Sequence, residues 1–297
     1  MFDITILTDH RYVNPPELNE YSSNVLKEDQ LVLEALERLD LKVHRINWDD
    51  ASFDWTTTRY ILFRTTWDYF DRFDEFSTWL EKVSQQTKLI NEKDLIYWNI
   101  DKHYLLDLSR KGINIPDSIF VEKGEQKTLS EFLSITDWDE VILKPCVSGA
   151  ARHTYRFKKQ DINQYEEICA RLVKAESLIL QEFQHNIITK GEVAYMVFGG
   201  KFSHAILKKA KPGDFRVQDD FGGTIHSYTP NADEIKFVEA AFAAISPQPI
   251  YARIDVIWDN NNQLSIGEIE LIEPELWFRK DPHAADKLAK AIFQTIQ

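Results

Sequence analysis

A β-hairpin pattern near the C-terminus constrains the fold more than any other stretch of the sequence. Both arms, residues 251–258 and 264–274, are rich in residues that favour strands, and the Asp-Asn-Asn-Asn segment at 259–262 is typical of a turn. Side chains of a strand alternate between the two faces of a sheet. The sequence therefore predicts a pair of strands with one apolar face and one charged face.

The charged face carries Arg253, Asp255, Glu268 and Glu270. If Asp255 pairs with Glu268, Arg253 lies opposite Glu270, and all four charges meet in one patch. Three close carboxylates repel one another unless a cation lies between them. Mg²⁺ binds such oxygen ligands together with substrate phosphates, and an arginine beside it suits a phosphate oxygen. The alternative is a solvated strand face with paired charges.

The composition limits the class of protein. A chain of 297 residues with 43% hydrophobic residues can bury one large core or two to three smaller ones. The formal net charge of −13 argues against a nucleic-acid partner. Cys146 and Cys169 fit no metal or disulfide framework and suggest a reducing compartment. Because no apolar run reaches membrane length and the start does not resemble a leader, we expect a cytoplasmic protein with no membrane partner.

The first part of the chain alternates strand and helix patterns. In order they are a strand at 2–8, a helix at 25–41, strands at 42–47 and 59–63, a helix at 73–85 and a strand at 88–91. This order predicts a parallel α/β domain over residues 1–95.

Ligands of such domains bind beyond the carboxyl ends of the strands. Arg64 follows an apolar strand there, and its guanidinium can hold a substrate carboxylate through two hydrogen bonds. We expect Arg64, Trp67 and Asp68 on the substrate side, with Trp67 as a wall of the pocket. The alternative is an exposed Arg64 paired with Asp68 or Asp71.

The middle of the chain, residues 96–183, contains two lysines in unusual settings. Lys102 lies in a helix pattern at 99–112, and Lys144 ends an apolar strand pattern at 140–145. A buried lysine is costly without an anion, so Lys144 requires one. The small-residue loop that follows, 146–153, can bring backbone N–H groups close to phosphates, although it is neither a P-loop nor a Rossmann fingerprint.

These elements occur in a fixed order that resembles the ATP-grasp superfamily. The residues that carry the resemblance are Lys102, Lys144, Gln181-Glu182-Phe183, Gly191-Glu192, Arg253, Asp255, Glu268 and Glu270. The resemblance covers essentially the whole chain. It implies two α+β lobes, 96–183 and 184–297, that clamp ATP behind the N-terminal α/β domain.

The resemblance also implies the roles of single residues. For ATP it assigns Lys102 and Lys144 to the phosphates, Ser148 and Gly149 to a lid, Glu182 and Phe183 to the adenine, and Glu192 to the ribose. For catalysis it assigns Asp255, Glu268 and Glu270 to Mg²⁺, Arg253 to the transferred phosphate, and Arg216 to an acyl phosphate or substrate carboxylate. A second ion and replacement by Mn²⁺ stay open, as does pairing of Arg216 with Asp219 or Asp220.

The glutathione-synthetase-like branch matches best. Within it, residues 64–69, 97–102 and 268–274 resemble the cyclo-ligases of cycloserine biosynthesis, which close O-ureido-serine with ATP. Two features depart from common family patterns. Glu270 stands where many relatives have Asn, and the lid carries the single glycine Gly149.

We therefore expect a ligase that uses ATP and Mg²⁺ to activate a small carboxylate or ureido amino acid as an acyl-phosphate-type intermediate, which an amine then captures. The amine belongs to a second substrate or to the same molecule, which would be cyclised. Alternatives are a small-molecule kinase or peptide ligase of the same fold, and a nucleotide-binding sensor or partner module without turnover. Three metal carboxylates argue against pure binding. Homo-oligomerisation stays open.

Overall fold

The computed structural model of the protein describes residues 1–149, 152–217 and 221–297. The strands in these ranges are β1 (Phe2–Thr8), β2 (Val43–Asn47), β3 (Thr58–Thr65), β4 (Lys88–Ile90), β5 (Ser118–Val121), β6 (Glu140–Pro145), β7 (Tyr155–Lys158), β8 (Leu178–Glu182), β9 (Glu192–Phe198), β10 (Lys201–Lys209), β11 (Thr224–Tyr228), β12 (Tyr251–Trp258) and β13 (Leu264–Glu270). The α-helices are α1 (Glu20–Glu37), α2 (Phe73–Val83), α3 (Lys93–Ile100), α4 (Tyr104–Arg110), α5 (Leu129–Ser134), α6 (Glu166–Leu172), α7 (Asn186–Lys190), α8 (Ala232–Ala244) and α9 (His283–Ile296). None of the helices in the described ranges has both the length and the apolar character needed to cross a membrane.

The N-terminal sheet has the order β2-β1-β3-β4, and all of its neighbouring strands are parallel. Its first crossover is α1, which begins at a capping box formed by Asn19 and Ser22. Ile4 and Ile6 of β1 lie in one core with side chains of α1, α9 and β9. The predicted parallel α/β unit is confirmed.

The middle sheet is antiparallel, with the order β5-β8-β6-β7. It packs against α5 and α6. The strand β7 was not predicted. The helix predicted over 99–112 is also wrong in detail, because α3 ends at Ile100 and α4 begins at Tyr104. The break between them places Lys102 outside any helix, where its amide donates to the carbonyl of Cys146.

The C-terminal sheet has the order β11-β10-β9-β12-β13 and contains the predicted hairpin. The register is the predicted one, with Asp255 opposite Glu268 and Arg253 opposite Glu270. The register shifts directly after Asp255, so that Val256 pairs with Ile266 and one extra residue bends β13.

The free edge of β13 is held by side chains of other elements. The side-chain amide of Asn99 donates to the backbone carbonyl of Ile269 at 2.7 Å and accepts from the backbone N–H of Leu271 at 2.8 Å. Asn91 is 1% exposed and donates to the carbonyls of Leu271 and Tyr251 at 2.7 and 2.9 Å. The two asparagines therefore fix the strand that carries Glu268 and Glu270 to the N-terminal part of the chain.

We predict that Asn91→Ala destabilises the fold by about 3 kcal/mol, because it leaves two buried carbonyls and one buried amide without partners. The amide is that of Ile250, which donates to the Asn91 side chain at 2.7 Å. Chemical denaturation measures the loss, and Asn163→Ala on the exposed surface is the matched control. Equal stability of the two variants would contradict the role given to Asn91.

Candidate active site

One cleft collects the predicted ATP, metal and catalytic residues. They come from the middle sheet, the C-terminal sheet and the loops between them. The cleft lining includes Lys102, Lys144, Ser148, Gly149, Glu182, Phe183, Glu192, Arg216, Arg253, Asp255, Glu268 and Glu270. Residues that are far apart in sequence therefore share one site, as the order of motifs predicted.

Arg253 links the acids of the hairpin. Its guanidinium donates to both oxygens of Asp255, at 3.1 Å from Nε and 2.9 Å from Nη2, and Nη2 also contacts Glu270. Although burial alone raises it, the neighbouring Arg253 and Lys208 hold the pKa of Asp255 below its usual value. Asp255 is therefore a carboxylate at neutral pH.

Lys208 is a buried cation, bound to two acids of the cleft, that the sequence analysis missed. It lies opposite Glu192 in the pairing of β10 with β9, and its Nζ is 2.5 Å from Glu192 and 2.8 Å from Asp255. Burial alone lowers its pKa, but Asp255 and Glu192 raise it above the usual value. The signal for Lys208 was the one used for Lys144, a lysine near the end of an apolar strand. The predicted ribose residue Glu192 is thus held by an ion pair.

The two predicted phosphate lysines occupy different settings. Lys102 lies 3.1 Å from Glu268 and donates to the carbonyl of Ser148 at 2.8 Å. Lys144 is half-buried, and burial together with the nearby Lys102 lowers its pKa to about 8. Two close ammonium groups repel each other, so this part of the cleft favours a polyanion.

The predicted metal ligands fit a divalent cation in their chemistry but do not converge on one point. Their oxygen atoms do not all lie within 4.8 Å of one another, because Arg253, Lys208 and Lys102 each bind one or two of the acids. Burial, with Glu268 and Asp255 nearby, raises the pKa of Glu270 to about 7. The raised pKa indicates that the positive charge near Glu270 does not balance the neighbouring carboxylates, so an added cation would be favourable here.

An apolar part of the cleft suits a planar base. Phe183 and Phe215 meet edge to face with centroids 5.9 Å apart, and the Arg156 guanidinium lies 3.7 Å from the Phe183 ring centre. Ile142 and Ile257 complete this lining. The backbone amide of Phe183 donates to the carbonyl of Glu140 at 2.9 Å.

The predicted lid is described only in part, because Ala150 and Ala151 lie outside the described residues. At Gly149 a Cβ atom would lie 2.8 Å from the ring of Phe70, so a larger residue would displace the loop or the ring. The Ser148 hydroxyl donates to the carbonyl of Arg152 at 3.1 Å.

Arg216 lines the cleft next to the apolar part. Its guanidinium is bound by Asp214, with Nη2 to Oδ2 at 2.8 Å and Nε to Oδ1 at 3.1 Å. Asp219 and Asp220, the partners named in the alternative interpretation of Arg216, lie outside the described residues. The described partner is Asp214.

The predicted substrate residues lie elsewhere: none of them is among the described residues that line the cleft. Arg64 is 1% exposed and not a surface residue, because it lies under the segment that follows β13 and donates to the Pro274 carbonyl at 3.0 Å. Trp67 donates to the Glu273 carbonyl at 2.9 Å. Asp68 accepts from Trp48 and Arg72, each at 2.7 Å. In the described structure the three side chains contact other parts of the protein, and their direct contact with a substrate stays a prediction.

Known proteins are similar to this chain over most of its length. Residues 4–91 match the family model of the N-terminal domain of D-cycloserine synthetase DcsG. The chain is 26% identical to the cycloserine biosynthesis protein DcsG of Streptomyces lavendulae over 284 residues, 90% of this chain and 93% of that protein. The crystal structure of D-cycloserine synthetase DcsG is similar with a TM-score of 0.86 and 24% identity, covering 99% of each chain.

Two other solved structures carry the name of the fold. The RimK domain protein ATP-grasp from Sphaerobacter thermophilus has a TM-score of 0.69 at 15% identity, with 97% of this chain and 98% of that chain covered. The ATP-grasp ligase PsnB, solved with a minimal precursor, Mg and ADP, has a TM-score of 0.62 at 13% identity, with 99% and 97% covered. The chain has the ATP-grasp fold. The predicted fold class and the resemblance to the cycloserine ligase are confirmed, and the relatives are named synthetases and ligases, in agreement with the predicted ligase.

Because Lys144 lines the cleft with a lowered pKa, we expect the affinity of the cleft for ATP to depend on pH. In the free protein Lys144 loses its proton as the pH rises through about 8, whereas a bound triphosphate holds that proton. ATP binding therefore takes up a proton, and we predict a dissociation constant roughly tenfold higher at about pH 9.5 than at about pH 7.5. Calorimetry at constant Mg²⁺ measures it. Lys144→Arg keeps its charge and should flatten the dependence; an equally steep dependence in that variant would exclude Lys144 as the cause.

Proposed function

We propose that this ATP-grasp protein is a ligase that uses ATP and Mg²⁺ to activate the carboxylate of a small amino-acid-like substrate for capture by an amine. The observation that carries the proposal is the single cleft in which two lysines face the acidic hairpin of Arg253, Asp255, Glu268 and Glu270. Phosphoryl transfer needs positioning and neutralisation of charge more than covalent help, and these residue types supply both.

Charged and apolar residues of the cleft have different roles in this proposal. Lys102 and Lys144 bind the phosphates, while the apolar part near Phe183 and Phe215 receives the base. Arg253 stays charged at every working pH, so it can stabilise negative charge that builds up on the transferred phosphoryl group. Arg216 lies where it can contact the activated carboxylate after release from Asp214.

Asp255, Glu268 and Glu270 would hold Mg²⁺, and their carboxylate chemistry fits that ion. When bound, Mg²⁺ neutralises phosphate charge and orients the phosphates for transfer. It takes few protein carboxylates along with phosphate oxygens, so the three acids need not converge in the free protein. Binding would exchange contacts of Arg253, Lys208 and Lys102 for contacts with the ion.

Cyclisation is the favoured form of the reaction. Two relatives that match at least 90% of this chain are named for cycloserine synthesis, which supports an acid and an attacking nitrogen in one molecule. We further propose that the protein acts in the cytoplasm, where the buried free thiols Cys146 and Cys169 stay reduced.

Release of phosphate tests the function. The protein is incubated with ATP and Mg²⁺ and a panel of amino acids, ureido amino acids and dipeptides, and phosphate and ADP are measured with the product by mass spectrometry. A ligase releases ADP and phosphate only with its full substrate set, whereas a kinase leaves a stable phosphorylated product. Tight ATP binding with no release across the panel would favour a nucleotide sensor.

We predict that Glu268→Gln lowers turnover by about 100-fold or more, because it removes a metal ligand where charge develops. The steady-state rate at saturating ATP measures it. Glu122→Gln removes one carboxylate from the same lobe as Lys102 without touching the cleft lining and should keep turnover within about twofold. Near-normal turnover of the Glu268 variant would argue strongly against the assigned metal site.

A further inference from the structure

Glu273 is an acidic residue of the cleft that has no role in the proposed binding of ATP or Mg²⁺. It follows Glu270 after the end of β13, and its half-buried side chain lines the cleft. The phenol of Tyr69 also lines the cleft and faces the Glu273 carboxyl. Burial and Glu273 raise the pKa of Tyr69 well above its usual value, so the phenol stays neutral and can donate or accept a hydrogen bond.

Three consecutive backbone carbonyls around Glu273 accept hydrogen bonds from side chains elsewhere in the protein. The carbonyl of Ile272 accepts from the Tyr251 hydroxyl at 2.7 Å, that of Glu273 from Trp67 at 2.9 Å, and that of Pro274 from Arg64 at 3.0 Å. Recognition groups need such support, because a carboxylate on a mobile segment gives little selectivity.

The charges of the cleft leave Glu273 without a cation. Four cations are among the described residues that line the cleft, namely Lys102, Lys144, Arg216 and Arg253. Three of them are bound to other acids, and no ion pair within the described ranges joins Glu273 to a cation. Burial, with Glu270 nearby, raises the pKa of Glu273 to about 8, and a cation beside the carboxyl would reverse that shift.

We propose that Glu273 and Tyr69 form the recognition site for the ammonium group of an amino-acid substrate. An ammonium offers three donors, which the Glu273 carboxylate and the Tyr69 oxygen can share. This inference rests on the proposed ligase function and deepens it, since it assigns two specificity-determining residues to the α-amino group, which is bound and is not the attacking nitrogen. An analogue without that amino group leaves the buried carboxylate unpaired and is rejected.

The test compares wild type with Glu273→Gln on a matched pair of compounds, O-ureido-serine and 3-(ureidooxy)propionate, which lacks the α-amino group. We expect wild type to prefer the amino compound in kcat/KM by about 100-fold or more. Glu273→Gln should raise KM for the amino compound about 30-fold, keep kcat and the KM for ATP within about twofold, and lose most of the preference. Glu37→Gln, an exposed acid outside the cleft lining, is the control and should resemble wild type.

Other results would overturn the proposal. A fall in kcat with unchanged KM would make Glu273 a general base, and a raised Mg²⁺ requirement would make it a metal ligand. Equal use of the two compounds by wild type would exclude recognition of the ammonium. If Glu273→Gln does not fold, Tyr69→Phe replaces it, with an expected rise in KM of about fivefold.

A binding measurement separates this inference from the proposed function. Calorimetry with serine and O-ureido-serine, in the presence of Mg²⁺ and a non-hydrolysable ATP analogue, does not depend on turnover. Binding that Glu273→Gln weakens by about tenfold or more supports the inference even if wild type releases no phosphate. Absence of binding, or equal binding by the variant, overturns it, whereas the phosphate-release assay decides the ligase function.

Discussion

The pairing of Arg253 with Asp255 and Glu270 is the interaction on which the site depends. The three side chains lie on adjacent strands of one sheet, and the Arg253 and Asp255 side chains are 11% and 3% exposed. Removing one member of such a buried network leaves an uncompensated charge at a cost of several kcal/mol. The network therefore keeps three ionisable groups together in a buried part of the cleft, and it contributes little to the stability of the fold.

The same network explains why the cleft is asymmetric. Lys102 and Lys144 stand at one side, where burial and mutual repulsion lower the pKa of Lys144. Glu270 and Glu273 stand at the other side, where burial raises the pKa of both. Each side is short of the opposite charge, so one favours a polyanion and the other a cation. A nucleotide and an ammonium-bearing substrate satisfy these needs together.

Sequence reasoning succeeded where the physics is local. The register of the hairpin follows from the alternation of strand side chains and the position of its turn, and it was predicted residue by residue. The residues that the ordered motifs predict for ATP and metal lie in one cleft, and their roles stay a prediction. Lys208 lies near the end of an apolar strand, a signal that was overlooked, but its pairing with Asp255 was beyond local sequence, because the two residues are 47 positions apart on strands separated by β9. Arg64 was correctly placed at the end of a strand, but its burial depends on Pro274, 210 residues later.

The path of the chain after β13 shows what the N-terminal sheet contributes. Strand alternation places Glu268 and Glu270 on the cleft face and would place residue 272 there next. Instead β13 ends at Glu270, Ile272 is 2% exposed in a core, and Glu273 lines the cleft. The alternation of side chains therefore breaks after Glu270. Hydrogen bonds from Trp67 to the Glu273 carbonyl and from Arg64 to the Pro274 carbonyl stabilise this conformation. Strand β3 and the segment after it therefore shape the Glu273 end of the cleft by fixing the chain beyond β13, without Trp67 or Arg64 lining the cleft themselves.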